Sequence, residues 1–246
     1  MNHVISSCAR VTNRVMRPLG VRLTRARNLK PDQNTLDSAL DRLGGLQLGI
    51  QSIIDVGASN GCWSRQAQRV FPNAQILAFE PLEERWPELD QWQQSDPRVR
   101  VVKGVAGAGR GTVPFHVADD LDGSGITEDR QAGRELPVTS IDHEVAEANL
   151  PAPFLVKFDT HGYEVPILEG AAETLQQTHA LIIEVYNFQL TSSSLRFYEM
   201  CAHLAPLGFR CFDMFDISRR SDETLWQADF VFIKDNHPVF QKTTFR

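Results

Sequence analysis

Apolar positions along the chain alternate between two periods, and the alternation predicts a layered sheet with helices on both faces. Leu36, Ala39, Leu40 and Leu43 share one face of a helix that Gly44-Gly45 stops. Ser52–Val56 reads as a buried strand, and Trp63, Ala67, Val70 and Phe71 then fall on one side of a helix. Gln75–Phe79 is the next strand. Pro81 opens a helix carrying Leu82, Trp86 and Leu89, with Pro87 as a candidate break, and Val99–Val102 is a third strand. Strands separated by helical stretches indicate βαβ units and a parallel sheet.

Residues 104–142 break that rhythm. Gly104, Gly107, Gly109 and Gly111 punctuate them, residues 112–117 and 136–141 read as strands, and the polar stretch 119–134 lies between. The expectation is a small β-insertion with a mobile loop around Gly123-Ser124-Gly125, whose acids Asp119, Asp120 and Asp122 read as a solvated turn, a lid that orders over substrate being the alternative. Alternation then resumes with a strand at Phe154–Phe158, a helix at 166–175, a strand at 180–185 and a helix at 195–204. Residues 209–215 and 229–234 close the chain as a hairpin over a charged turn.

Composition sharpens this. With 246 residues, 42% hydrophobic and 23% charged, the chain can bury a core, and no run approaches the roughly 18 uncharged apolar residues of a membrane span. Cys8, Cys62, Cys201 and Cys211 form no C-x-x-C pair, so a disulfide scaffold and structural zinc are not expected, and a reducing, cytoplasmic setting fits. Residues 1–30 hold seven basic side chains and no acid, leaving 18 basic against 31 acidic in the remainder. A body this acidic repels phosphate backbones, which argues against nucleic acid as partner. Residues 1–34 are therefore set apart as a basic arm, with 35–246 as the main domain. Val4, Ile5, Cys8, Val11, Val15 and Met16 recur at helical spacing in the arm, up to Pro18 and Gly20. The expected role is docking on its own domain or a subunit partner. Lying on a membrane surface, which would make the protein peripheral, and an organelle transit peptide are the alternatives.

Two constellations carry chemistry. The first, Asp55-Val56-Gly57-Ala58-Ser59-Asn60-Gly61, lies directly between a strand and a helix, where glycines allow a tight turn and close approach of a ligand. Glu80 ends the next strand, 19 residues after Gly61, and an acid there can accept hydrogen bonds from ribose hydroxyls. Together they predict a nucleoside site, with Pro81 beside it. A dinucleotide turn would carry its second glycine where this chain has Ser59, and the Asp55 carboxylate suits a sulfonium better than a pyrophosphate. S-adenosylmethionine is thus favoured over NAD.

The second constellation is Lys157-Phe158-Asp159-Thr160-His161-Gly162-Tyr163-Glu164, at a strand's carboxyl end. Asp159 is assigned to orienting cofactor or acceptor. His161, with an ordinary pKa of about 6.5, is the candidate base. Lys157 is a strand lysine expected to join the catalytic group. Glu164, Glu184 and Asn187, with Tyr186 between the last two, are candidate acceptor contacts. Asp159, His161 and Glu184 could also hold Mg²⁺ beside two substrate hydroxyls, but their spacing fixes no metal geometry, and metal assistance is the less favoured reading.

On these residues the chain resembles the FkbM family of S-adenosylmethionine-dependent methyltransferases. The resemblance covers roughly residues 36–235 and includes Phe79-Glu80-Pro81, Val138-Thr139-Ser140-Ile141-Asp142, and Leu168 with Gly170-Ala171. The family typically reads K-I-D-x-E/Q-G-x-E where this chain has Lys157 to Glu164, so His161 departs from it. The resemblance implies a Rossmann-like, seven-strand class I methyltransferase sheet and O-methylation of a sugar or other small metabolite. A nicotinamide-dependent oxidoreductase and a non-catalytic adenosine-binding module are the competing readings. Three turn glycines and a Tyr-x-x-x-Lys pair would mark the oxidoreductase, and neither is present.

Overall fold

The computed structural model describes residues 32–129 and 133–244. The helix expected within the basic arm lies outside the described residues. From Asn34 onward the chain forms one compact unit.

Thr35 caps the first helix, α1 (Leu36–Gly45), by accepting a hydrogen bond from the Ser38 amide. There follow β1 (Ser52–Val56), α2 (Cys62–Val70), β2 (Gln75–Phe79), α3 (Trp86–Ser95) and β3 (Val99–Val102). The insertion comprises β4 (Val105–Ala106), β5 (Gly111–His116), β6 (Gly125–Ile126) and β7 (Arg134–Thr139). Then come α4 (Ile141–Ala148), β8 (Phe154–Phe158), α5 (Glu164–Glu169), α6 (Ala172–Gln176), β9 (Thr178–Tyr186), α7 (Phe197–Leu204), β10 (Phe209–Arg219) and β11 (Leu225–Lys234).

Seven strands form the main sheet in the order β10-β11-β9-β8-β1-β2-β3. The five strands from β9 to β3 run parallel, β11 runs antiparallel to β9, and β10, paired antiparallel to β11 in the hairpin, returns to the common direction. Successive strand residues point to opposite faces, and both faces are covered, so the strands read as continuous apolar runs. Ile54, Leu77, Val156 and Leu181 meet α5, α6 and α7 on one side. Ile53, Ile76, Leu155 and Ile182 meet α1, α2 and α3 on the other. The sheet order reverses its direction of growth between β1 and β8, which opens a crevice at their carboxyl ends.

Three elements differ from expectation. Pro87 does not break a helix: it stands in the first turn of α3, where a proline's missing N–H has no partner to lose. Residues 81–85 form the turn before it. Helix α4 was not anticipated, although Ser140 caps it and Asp142 and Glu144 occupy its first turn. The helix expected over 166–175 divides at Gly170-Ala171 into α5 and α6. Packing requires glycine at this junction, because a Cβ on Gly170 would lie 2.0 Å from the Gly107 carbonyl oxygen of the insertion.

That contact yields a stability prediction. Gly170→Ala, at an ordinary negative φ, sets a methyl against fixed backbone and should cost about 2–4 kcal/mol in urea denaturation. Gly45→Ala, which meets nothing within 4 Å, should stay within about 0.5 kcal/mol of the parent.

Candidate active site

The crevice holds a cavity of about 620 Å³. Its first end is the turn after β1. Gly57, Ser59 and Gly61 all adopt left-handed backbone, with φ of 80°, 49° and 77°. Gly57 admits no side chain, since a Cβ would lie 2.1 Å from the Asp159 carbonyl oxygen. Asn60 accepts from the Cys62 amide at the start of α2, and Ala58 packs into the core below. Gly57, Ser59, Glu80 and Pro81 line the cavity.

Glu80 is held rigidly. One carboxylate oxygen accepts from the Ser59 amide at 2.7 Å and the other from the Leu82 amide at 2.9 Å. Each oxygen keeps a further lone pair for a ligand hydroxyl. Burial pushes the carboxyl up to about 7, against those two hydrogen bonds and the nearby Arg85 charge.

Asp55 departs from expectation. It is fully buried, accepts from the Ser64 hydroxyl at 2.6 Å, lies 3.5 Å from Lys157 Nζ and does not line the cavity. Burial raises its pKa. Asp55 thus lies behind the turn, whereas Asp159 faces the cavity. Lys157 likewise lies beneath the wall. Its Nζ donates to Asp159 Oδ2 at 3.0 Å and to the Gly57 carbonyl at 3.3 Å. Burial disfavours the Asp159 carboxylate, but the Lys157 charge prevails and lowers its pKa.

The second end of the cavity is made by Asp159 and His161 after β8, Glu184 and Tyr186 at the end of β9, Leu190 beyond it, and Trp226 and Gln227 at the start of β11. His161 is left-handed at φ 50°, and Gly162 follows at 99°. This kink aims the imidazole along the crevice. Its Nδ1 lies 2.7 Å from the Tyr186 hydroxyl and its Nε2 2.8 Å from the Asp122 carbonyl. The Tyr186 hydroxyl also donates to Glu184 in a short hydrogen bond. Burial works against an imidazolium, but Glu184 and Asp159 outweigh it and His161 rises to about 9. The expectation of a free base near neutrality is therefore revised: both ring nitrogens are engaged and the charged form is favoured.

Two expected acceptor contacts are used elsewhere. Buried Glu164 closes the turn before α5, accepting from the Gly162 amide at 2.8 Å and the Thr160 hydroxyl at 3.1 Å. Asn187 fastens β9 to the hairpin through the Trp226 and Leu225 carbonyls. Neither lines the cavity.

Conversely, the acidic loop is more than a solvated turn. Residues 121–126 line the cavity, Asp122 pairs with Arg85 at 2.6 Å, and its carbonyl meets His161. Arg85 and Trp226 are not marked out by the sequence. A single arginine and a hairpin tryptophan carry no spacing signal, and only the fold gathers them beside Asp122.

The strand order, the glycine turn after β1 and the acid ending β2 define a class I methyltransferase fold. The chain belongs to the FkbM methyltransferase family, whose domain model matches residues 55–211. No curated protein matches it in sequence. Among solved structures it is similar to a methyltransferase FkbM from Methylobacillus flagellatus KT, at 18% identity over 74% of this chain and 43% of that one, TM-score 0.49. This chain thus spans less than half the length of that protein. It is also similar to the 1,6-didemethyltoxoflavin-N1-methyltransferase of Burkholderia thailandensis, with S-adenosylhomocysteine bound (13% identity, 95% and 90% covered, TM-score 0.45). A third is the magnesium protoporphyrin IX methyltransferase of Synechocystis PCC 6803 with bound SAM (12% identity, 82% and 79% covered, TM-score 0.45). Among the described residues no helix is long and apolar enough to cross a membrane.

Glu80 makes stability pH-dependent. Its folded pKa of about 7 exceeds the ordinary 4.5, so the native state binds the proton more tightly than the unfolded state. That contribution is complete below about pH 4.5 and is lost as pH rises through about 7, a span worth on the order of 3 kcal/mol. Denaturation curves across this window should show parent stability falling relative to Glu80→Gln. Parallel pH profiles would refute the assignment.

Proposed function

We propose that this chain transfers the methyl group of S-adenosylmethionine to a hydroxyl of a sugar or another polyhydroxylated small molecule. The observation that carries the reading is the cavity's two-ended composition. A glycine turn free of bulky side chains and a rigid Glu80 form one end. Carboxylates, an imidazole, a phenol and the Trp226 ring form the other. A ring with C–H faces and equatorial hydroxyls matches that second end, with apolar area for the face and convergent polar groups for the rim.

When bound, S-adenosylmethionine supplies a methyl carbon activated by positive sulfur. Residues 57–61 and Glu80 would hold its adenosine. Asp159, fixed by Lys157, offers the cavity a negative charge that favours the sulfonium. Glu184, Tyr186 and His161 form a hydrogen-bonded array that can orient an acceptor hydroxyl for in-line attack. The loop at 121–126, tied down by Arg85 and His161, limits water at the reacting atoms. Against the oxidoreductase reading stands Ser59, placed where a pyrophosphate-binding turn needs its second glycine.

We assign the domain to residues 35–246, place the enzyme in the cytoplasm, and assign the basic arm to a subunit partner or an anionic membrane surface. Surface binding by the arm would weaken steeply with salt, and a subunit role would show as a broken oligomer on deleting residues 1–30.

Calorimetry should give binding of S-adenosylhomocysteine but not NAD, weakened by about 1.5–3 kcal/mol in Glu80→Ala. Incubating the protein with deuteromethyl-labelled S-adenosylmethionine and hydroxylated metabolites should label an oxygen. Trp226→Ala should raise the acceptor KM more than it lowers kcat. Label found only on nitrogen or carbon would overturn the hydroxyl assignment, and NAD binding would overturn the methyl donor.

A further inference from the structure

The geometry points to a binding site for a divalent transition-metal ion, Mn²⁺ being the model case, formed by Asp159, His161 and Glu184 at the acceptor end of the cavity. The inference rests on the methyl-transfer reading for its purpose, though not for its ligands. These residues follow or end the adjacent parallel strands β8 and β9. One ligand atom from each lies within 4.8 Å of the other two. His161 Nδ1 is 3.6 Å from Glu184 Oε1, and its Nε2 is 3.9 Å from Asp159 Oδ1.

The surroundings of each group match those of metal ligands, which are held from behind by an outer partner. Lys157 Nζ takes Asp159 Oδ2 at 3.0 Å and leaves Oδ1 without a hydrogen bond to it. The Asp122 carbonyl takes His161 Nε2 at 2.8 Å, the backbone contact that fixes a ring tautomer with Nδ1 as the ligand atom. Tyr186 holds Glu184 Oε1. An ion at Nδ1 releases the Nδ1 proton to water and displaces the contact between Nδ1 and the Tyr186 hydroxyl, while Tyr186 keeps its bond to Glu184.

One imidazole with two carboxylates suits Mn²⁺, Fe²⁺ or Zn²⁺ better than Mg²⁺ or Ca²⁺, which prefer all-oxygen sets. All three ligands line the cavity, so further coordination positions face an acceptor. Two neighbouring hydroxyls of a polyol can fill them. The ion then acidifies the attacking hydroxyl, a task His161 cannot perform with both nitrogens engaged. In the step, the O–H proton leaves to water and the oxygen forms the new C–O bond. The carbon–sulfur bond breaks, and its electron pair stays on sulfur. No oxidant or reductant is needed.

The test uses the full chain. Mn²⁺ is titrated by calorimetry, with and without S-adenosylhomocysteine, and the bound ion is examined by pulsed electron paramagnetic resonance. One Mn²⁺ per chain is expected, with imidazole nitrogen coupling that His161→Gln abolishes. Affinity should fall tenfold or more in Glu184→Gln and in Asp159→Asn. Each variant is first checked for native circular dichroism and S-adenosylhomocysteine binding. His161→Gln serves where the carboxylate variants do not fold. Absence of Mn²⁺ binding, binding without nitrogen coupling, or affinity unchanged in folded variants would overturn the site. Methyl transfer undiminished in excess chelator would overturn the metal's role and leave the methyltransferase reading intact. Bound Mn²⁺ with nitrogen coupling, but no hydroxyl acceptor methylated, would sustain the site and overturn the proposed acceptor.

Discussion

The ammonium group of Lys157 sits at the centre of the molecule, on the strand beside β1, and both ends of the cavity depend on it. It is 5% exposed, reaches Asp55 at 3.5 Å and Asp159 at 3.0 Å, and donates to the Gly57 carbonyl. Burial alone would strip its proton, yet the charges of Asp159 and Asp55 raise its pKa. A buried charge of this kind is tolerable only while its partners stay, and removing one partner of such a group typically costs about 3–5 kcal/mol. Lys157 therefore makes the glycine turn and the Asp159 loop mutually dependent. The two are further locked by contact, since the Gly57 Cα hydrogen faces the Asp159 carbonyl where any side chain would clash.

This arrangement separates two kinds of carboxylate. Asp55 and Glu164 are consumed inside the scaffold, one fixing the start of α2 through Ser64, the other closing the turn before α5. Asp159, Glu184 and Glu80 use only part of their hydrogen-bonding capacity on the protein and present the rest to the cavity. Methyl transfer asks little covalent chemistry of a protein, because the leaving group comes with the donor, and preorganised charge and alignment carry most of the work. In the proposed reaction a wall of fixed carboxylates, steadied by an ammonium behind and an imidazole alongside, would meet that demand. The loop at 121–126 borders both ends of the cavity, as Arg85 at one end and His161 at the other grip the same residue, Asp122.

Much of this was legible from residue order. The βαβ rhythm, the insertion, the hairpin, the glycine turn and Glu80 follow from hydrophobic period and from the conformational freedom that only certain positions require. Local signals also existed for features that went unread. Ser140 followed by Asp142 and Glu144 marks the start of α4, and proline in a first helical turn is a start and not a stop. By contrast, the requirement for glycine at 170 is set by the carbonyl of Gly107, 63 residues away in the chain.

The sequence by itself determined the class of fold and the chemistry available at strand ends, because periodicity and short-range turn geometry act between neighbours in the chain. Which carboxylate faces a ligand was decided only by tertiary structure. Asp55 and Asp159 both border a turn at the carboxyl end of a parallel strand, yet one is fully buried and the other lines the cavity. The state of His161 was decided in the same way, by Tyr186, Glu184 and Asp122 arriving from three separate segments. Burial and electrostatics depend on distance through space, and no spacing along the chain encodes that distance.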